Sequence, residues 1–71
     1  MSDSVYKVIE LVGTSTESWE RAATTAVETA SKSLHDLRIA EVVELDIQLE
    51  NGQVMAYRTK LKVSFKYKTS D

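Results

Sequence analysis

From Ile39 to Lys68 the chain alternates apolar and polar residues almost without interruption, and the break falls at Asn51-Gly52. A period of two puts successive side chains on opposite faces of a strand. Asn-Gly between two such runs is the strongest short-range hairpin signal. A large part of the chain is thereby committed to one long hairpin, with strands over about 39–49 and 53–68. In the first arm Val43, Leu45, Ile47 and Leu49 alternate with Glu44, Asp46, Gln48 and Glu50. In the second, Tyr57, Leu61, Val63, Phe65 and Tyr67 share a face with Met55 and Thr59, and Arg58, Lys60, Lys62, Ser64, Lys66 and Lys68 share the other. A two-residue Asn51-Gly52 loop would set Asp46 against Tyr57, an acid against the apolar face. A three-residue loop, Glu50-Asn51-Gly52, sets Leu49 against Gln53, Leu45 against Tyr57 and Glu44 against Arg58. The faces then match, Gly52 takes the left-handed position of a bulged turn, and acids oppose bases at roughly 0.2–1 kcal/mol a pair. This second register is the expected one.

The N-terminal part follows two other rules. Val5-Tyr6-Lys7-Val8-Ile9-Glu10-Leu11-Val12 is β-branched and aromatic, so a strand is expected over about 5–12, ended by Gly13. Its faces are both apolar, Val5, Ile9 and Leu11 on one and Tyr6, Val8 and Val12 on the other. That points to burial on two sides, one of them by a neighbouring subunit. Thr14 with Glu17 reads as a capping box. A stripe at helical spacing follows, Trp19, Ala22, Ala23, Ala26, Val27, Ala30, Leu34 and Leu37, which predicts a helix over about 16–35. Its alanines let it sit close to a sheet. The order is strand, helix, strand, strand. A helical crossover makes the first two strands parallel and the hairpin makes the third antiparallel to both. The expected fold class is α+β, a β-α-β-β subunit whose three-stranded antiparallel sheet, order 1-3-2, packs on one helix. No linker or repeat divides residues 1–71, so one domain is expected, with residues 1–4 and 69–71 as frayed ends.

Such a domain is short of stabilisation. For a chain of 71 residues apolar burial and ordering entropy come out near balance. The usual remedies are disulfides, a metal or partners. There is no cysteine and a single histidine, which leaves assembly as the evident remedy. The two outer strands of the sheet are edges, and edges invite pairing with other chains. With 42% hydrophobic and 28% charged residues the composition is that of a folded domain. The net charge of −2 argues against nucleic-acid binding. No apolar run approaches the roughly 20 residues of a membrane span. Met1-Ser2-Asp3-Ser4 lacks a basic region followed by an apolar core, so the expected compartment is the cytoplasm.

Catalytic patterns are missing from the sequence: there is no Gly-rich phosphate loop, no cysteine nucleophile and no paired metal-ligand histidines. The expectation is a protein that is not an enzyme. His35, beside Asp36, is read as a helix-end histidine favoured by the helix dipole. Trp19 is read as a core or interface anchor before a stacking platform. The basic face of the last strand is read as solvated or intersubunit, because Glu44, Asp46 and Glu50 neutralise it locally. The acids Glu41, Glu44, Asp46 and Glu50 have the oxygen chemistry of a calcium site. One chain offers too few of the six to eight ligands, although a symmetric interface multiplies them.

Several stretches resemble the dodecin family: Tyr6 to Ser15 with its Val-Gly-Thr-Ser ending, the alanine-rich helix, Ala40-Glu41-Val42, and Tyr57 to Phe65 with its Lys62-Val63-Ser64-Phe65 ending. The resemblance covers nearly the whole chain. It implies a homo-dodecamer, a hollow shell of cubic symmetry, and a non-enzymatic binder that stores or sequesters flavins such as riboflavin or FMN. The position of the family's flavin-stacking Trp, two residues before the Glu-Val pair, is Ile39 here. The position of its flavin-bonding Gln, after the Tyr of the last strand, is Arg58. Isoleucine offers no π-face, and Arg58 offers only donors where an amide both donates and accepts. The Ser-Trp-Glu helix start and Tyr57-Arg58 are similar to a Trp-lacking branch for which calcium is the implied ligand. The resemblance thus implies a flavin-binding shell with an altered site, or alternatively a calcium-binding or purely structural shell.

Overall fold

A computed structural model of the chain describes residues 3–67. The expected end of the last strand at Lys68, that residue's place in the basic face, and the ends at 1–2 and 69–71 lie outside the described residues. Four elements follow in order: β1 (Tyr6–Ser15), α1 (Trp19–Ser31), β2 (Leu37–Glu50) and β3 (Gln53–Lys66). β3 lies between the other two and is antiparallel to both, giving the order β1-β3-β2. The expected architecture and strand order are thus found.

β1 is longer than expected. Pairing with β3 carries it through Gly13↔Thr59 and Thr14↔Arg58 to Ser15↔Tyr57. Thr14 is therefore strand and does not cap the helix. Ser15 Oγ instead accepts from the Glu17 amide at 2.9 Å in the connection. The cap is Ser18, whose extended backbone lets Oγ accept from the Arg21 amide at 3.0 Å, while its carbonyl accepts the first helical bond from Ala22. A cap must stand where the backbone leaves the extended region, and continued strand pairing moves that point downstream. Ser18→Ala is expected to cost about 1 kcal/mol in urea unfolding, and Thr14→Ala to cost clearly less, which separates the two capping schemes.

The helix also stops early. At its end the amides of Ser33 and Leu34 both donate to the Ala30 carbonyl, and Asp36 turns the chain into β2 at φ +61°. Short polar side chains tolerate this left-handed backbone best after glycine. Leu34 and Leu37 keep their half-buried place in the apolar stripe without being helical. The stripe therefore overstates the helix.

The hairpin register corrects the expected one. Asn51 (φ +54°) and Gly52 (φ +75°) both have positive φ, so the turn is a tight two-residue loop with Glu50 opposite Gln53. The facing mismatch that argued against this loop is removed by a bulge. Leu49 pairs with Val54 but Gln48 with Ala56, so Met55 is the extra residue. Beyond it Ile47 faces Tyr57 and Asp46 faces Arg58; the expected Leu45–Tyr57 and Glu44–Arg58 pairs do not form. Further irregularities at Val43 and Arg38 shift β2 again. Bulges sharpen strand twist, and the β2–β3 ladder carries three such irregularities along its length.

The core is thin. Ala26 of α1 lies on Leu61 and Val63 of β3, with Ile9, Leu11, Ala23 and Leu37 packed at the sides, and Ala22, Ala30 and Thr59 are buried as well. The small helix residues let α1 approach the sheet closely, and Gly13 is buried where β1 crosses beneath Ala22 and Ala26. Among the described residues no helix is long and apolar enough to cross a membrane.

Candidate functional site

Alternation in the two ladders sorts the sheet into a helix-side face and a far face. Thr59, Leu61 and Val63 define the first, since all three are buried. Arg58, Lys60, Lys62 and Ser64 belong to the second. Across the far face the rows read Thr14–Arg58–Asp46, Val12–Lys60–Glu44, Glu10–Lys62–Glu41 and Val8–Ser64–Ile39. A basic column on β3 is flanked by an acidic column on β2, so the expected opposition of charge is found, two residues away from its expected pairs.

Arg58 and Asp46 form the tightest polar contact of this face. Nε donates to Oδ1 and Nη2 to Oδ2, both at 2.8 Å, a bidentate fork between half-exposed side chains. The hydrogen bond from Arg58 holds the Asp46 carboxyl below its ordinary value of 3.8, with partial desolvation opposing it, and the same bond raises the Arg58 guanidinium. A carboxylate with a lowered folded pKa stabilises the fold above its unfolded value and loses that contribution as pH falls through the lowered one. The fork is therefore complete through the neutral range and opens only in acid below 3.8.

Trp19 braces this corner from the helix side. Its Nε1 donates to the Asp46 carbonyl at 3.0 Å, and its ring meets Tyr57 edge-on, with centroids 5.1 Å apart at 68°. Thr59 Oγ1 in turn donates to the Trp19 carbonyl at 2.9 Å. The indole is thus committed to the subunit itself, as the anchor reading expected.

Ile39 is 64% exposed and stands opposite Ser64 on the far face. Ser64 lies well along β3 from Arg58, and at roughly 3.3 Å per residue the two rows are about 20 Å apart. One subunit does not bring Ile39 and Arg58 together, so a site using both needs a second chain. The acids behave similarly. Glu41, Glu44 and Asp46 run along one column, and among the described residues no three His, Cys, Asp or Glu side chains converge on a point where a metal ion would be held. His35 is exposed in the α1–β2 connection. A cleft of about 470 Å³ opens elsewhere, between β1 and α1, floored by Ile9, Leu11, Ala26 and Leu34, and neither Ile39 nor Arg58 lines it.

These residues offer fixed charges, exposed apolar surface and one preformed fork, the equipment of a binding surface. The sequence reading missed the Asp46–Arg58 pair and the Trp19 brace. The available signal was the acid-base alternation itself, which gives the right face but the wrong partner until Met55 is known to bulge.

A family model described as Dodecin matches residues 5–68. The chain belongs to the dodecin family. It is 51% identical over 63 residues to the calcium dodecin of Mycobacterium tuberculosis, 89% of either chain, and 40% identical over 62 residues to the dodecin of Thermus thermophilus, 87% of this chain and 90% of the other. Among solved dodecins, that of Streptomyces coelicolor superposes with a TM-score of 0.91 at 38% identity, covering 99% of this chain and 100% of the other. The M. tuberculosis calcium dodecin crystal structure, described as a calcium-chelating antigen with a novel calcium-binding site, superposes at 0.82 with 49% identity over 96% and 97%.

Proposed function

We propose that the chain is the subunit of a non-catalytic homo-dodecameric shell that binds calcium and does not take up flavin. The observation that carries this reading is the Asp46–Arg58 fork. Arg58 occupies the place where the resemblance puts a flavin-bonding amide, and its Nε and Nη2 donors are both engaged by Asp46. Ile39, at the place of the stacking Trp, supplies no π-face for an isoalloxazine ring. Similarity to the M. tuberculosis calcium dodecin supports the choice of cation.

Calcium takes six to eight oxygens, so carboxylates pooled from several subunits are required. The ion pairs among the described residues are Arg58–Asp46 and Arg38–Asp36, which leaves Glu41 and Glu44 with unshared oxygens on β2, an edge strand. Equilibrium dialysis of the assembled protein, first stripped with a chelator, tests the reading against calcium, riboflavin and FMN in parallel. Saturable calcium binding with no flavin retained at micromolar concentration is the expected result. One flavin retained per subunit, or no calcium bound, would overturn it.

A further inference from the structure

An arginine on an open sheet face is ordinarily an invitation to oxyanions. Its guanidinium is charged at every accessible pH, and its planar fork fits phosphate and carboxylate bidentately. In this subunit the oxyanion is supplied from within. Asp46 meets Nε and Nη2 at 2.8 Å each.

Asp46 is also held in place by its surroundings. The ladder sets it directly opposite Arg58, its carbonyl is fixed by Trp19 Nε1, the indole meets Tyr57 edge-on, and the buried Thr59 hydroxyl holds the backbone carbonyl of Trp19. The counter-anion is thus preorganised, and an external oxyanion would have to displace a partner that loses little freedom by staying. The neighbouring rows give no help to an incoming anion. Lys60 stands opposite Glu44, and Lys62 stands between Glu10 and Glu41. These three rows carry at least as many carboxylates as cations, so the face has no positive field to draw anions in.

We propose that Asp46 is the specificity-determining residue of the far face: as the internal counter-anion of Arg58 it excludes ligands bearing phosphate or carboxylate and leaves the face to cations and neutral molecules. This rests on the reading of the shell as cation-binding and flavin-free, and names the ligand class it rejects. It also makes Arg58 a latent oxyanion site, closed by one side chain.

The test uses FMN and riboflavin, which differ by a single phosphate, in equilibrium dialysis against the assembled wild type and Asp46→Asn. The asparagine keeps the shape and the backbone carbonyl that Trp19 uses, and removes the charge. Asp46→Asn is expected to bind FMN about ten- to a hundredfold more tightly than wild type does, the usual range for a freed charge-assisted contact. Riboflavin should change less than about twofold. The gain should weaken with salt, be competed by inorganic pyrophosphate, and vanish in Asp46→Asn combined with Arg58→Gln, a pattern that a merely structural role would not produce. Equal gains for both flavins, or no gain for FMN in an assembled variant, would overturn the proposal. Asp46→Ala, checked by light scattering, is the second variant. If neither variant assembles, Asp46 is a structural residue and the proposal is equally overturned. Stoichiometric flavin binding by the wild type would instead overturn the proposed function, whatever the variants do.

Discussion

Gly13→Ala is expected to destabilise the subunit by at least the ~1–3 kcal/mol typical of overpacking, and to reduce or abolish the yield of assembled protein. Ordinary strand propensity predicts the opposite sign, since glycine in a strand interior is disfavoured by roughly 0.5–1 kcal/mol relative to alanine. The reason is local. A Cβ on Gly13 would run into the carbonyl of Ala22 and stand 3.0 Å from Ala26 Cβ. A backbone carbonyl inside a helix cannot rotate out of the way, and the alanine beneath it is already the smallest side chain available. Relief requires lifting α1 from the sheet, which opens the contact that buries Ala22 and Ala26. Gly52 is the control. It has nothing within 4 Å but sits at φ +75°, so Gly52→Ala should cost about 1–2 kcal/mol from backbone strain alone and leave assembly intact. Urea unfolding of the three proteins decides the matter. A Gly13→Ala protein as stable as wild type would show that the helix has room to move.

Gly13 also shows where sequence reading reaches its limit here. Its presence after a β-branched run reads as a strand end, and Thr14 beside it reads as a cap. Both readings follow from local rules, and both are overridden by a non-local one: β3 is long enough to pair with β1 as far as Ser15. Once that pairing is allowed, the cap passes to Ser18 and the glycine becomes a point of close approach. The fold class, the strand order and the alanine face of the helix were legible because each rests on periodicity, which survives shifts of a few residues at the ends. The hairpin register was not. Alternation fixes which face a residue occupies, and any slip of two residues preserves that. The three-residue loop and the tight turn with a bulge at Met55 give the same faces with different partners.

The candidate site inherits this ambiguity. Arg58 and Ile39 could be singled out from the sequence, and so could an acidic column beside a basic one. Which acid meets Arg58 depended on the register, and the answer, Asp46 and not Glu44, separates a loose pairing of columns from a bidentate fork. The contact of Trp19 with the Asp46 carbonyl spans 27 residues of sequence and leaves no periodic trace. What the sequence did contain was an unspent quantity of apolar surface, and that has the largest consequence.

Dissociation is expected to unfold the chain, so that no folded 8 kDa species survives dilution. Among the described residues the buried apolar ones are Ala22, Ala26, Ala30, Leu61 and Val63, three of which contribute little more than a methyl group. Against them stand Val42, Leu45, Ile47 and Leu49 on β2, Tyr6, Val8 and Val12 on β1, and Val54 and Met55 near the turn, all 40% exposed or more. The helix covers β1 and β3 and leaves the helix-side face of β2 bare. The subunit is accordingly drawn out, 55 × 20 × 14 Å, with a radius of gyration of 14.9 Å where a compact chain of this length would have about 11 Å. A surface of this kind is the uncovered half of a core, and its partner has to be another chain. The urea midpoint should therefore rise with protein concentration, because assembly stabilises by mass action. Each tenfold dilution should remove about 1.4 kcal/mol per subunit. Loss of far-UV circular dichroism should coincide with loss of scattering mass. Leu45→Lys, which puts a charge on the bare face of β2 at a side chain that is itself half exposed, should abolish both signals together. A dilute monomer that keeps its native dichroism would mean that the thin alanine-lined core suffices alone, and that assembly serves some purpose other than folding.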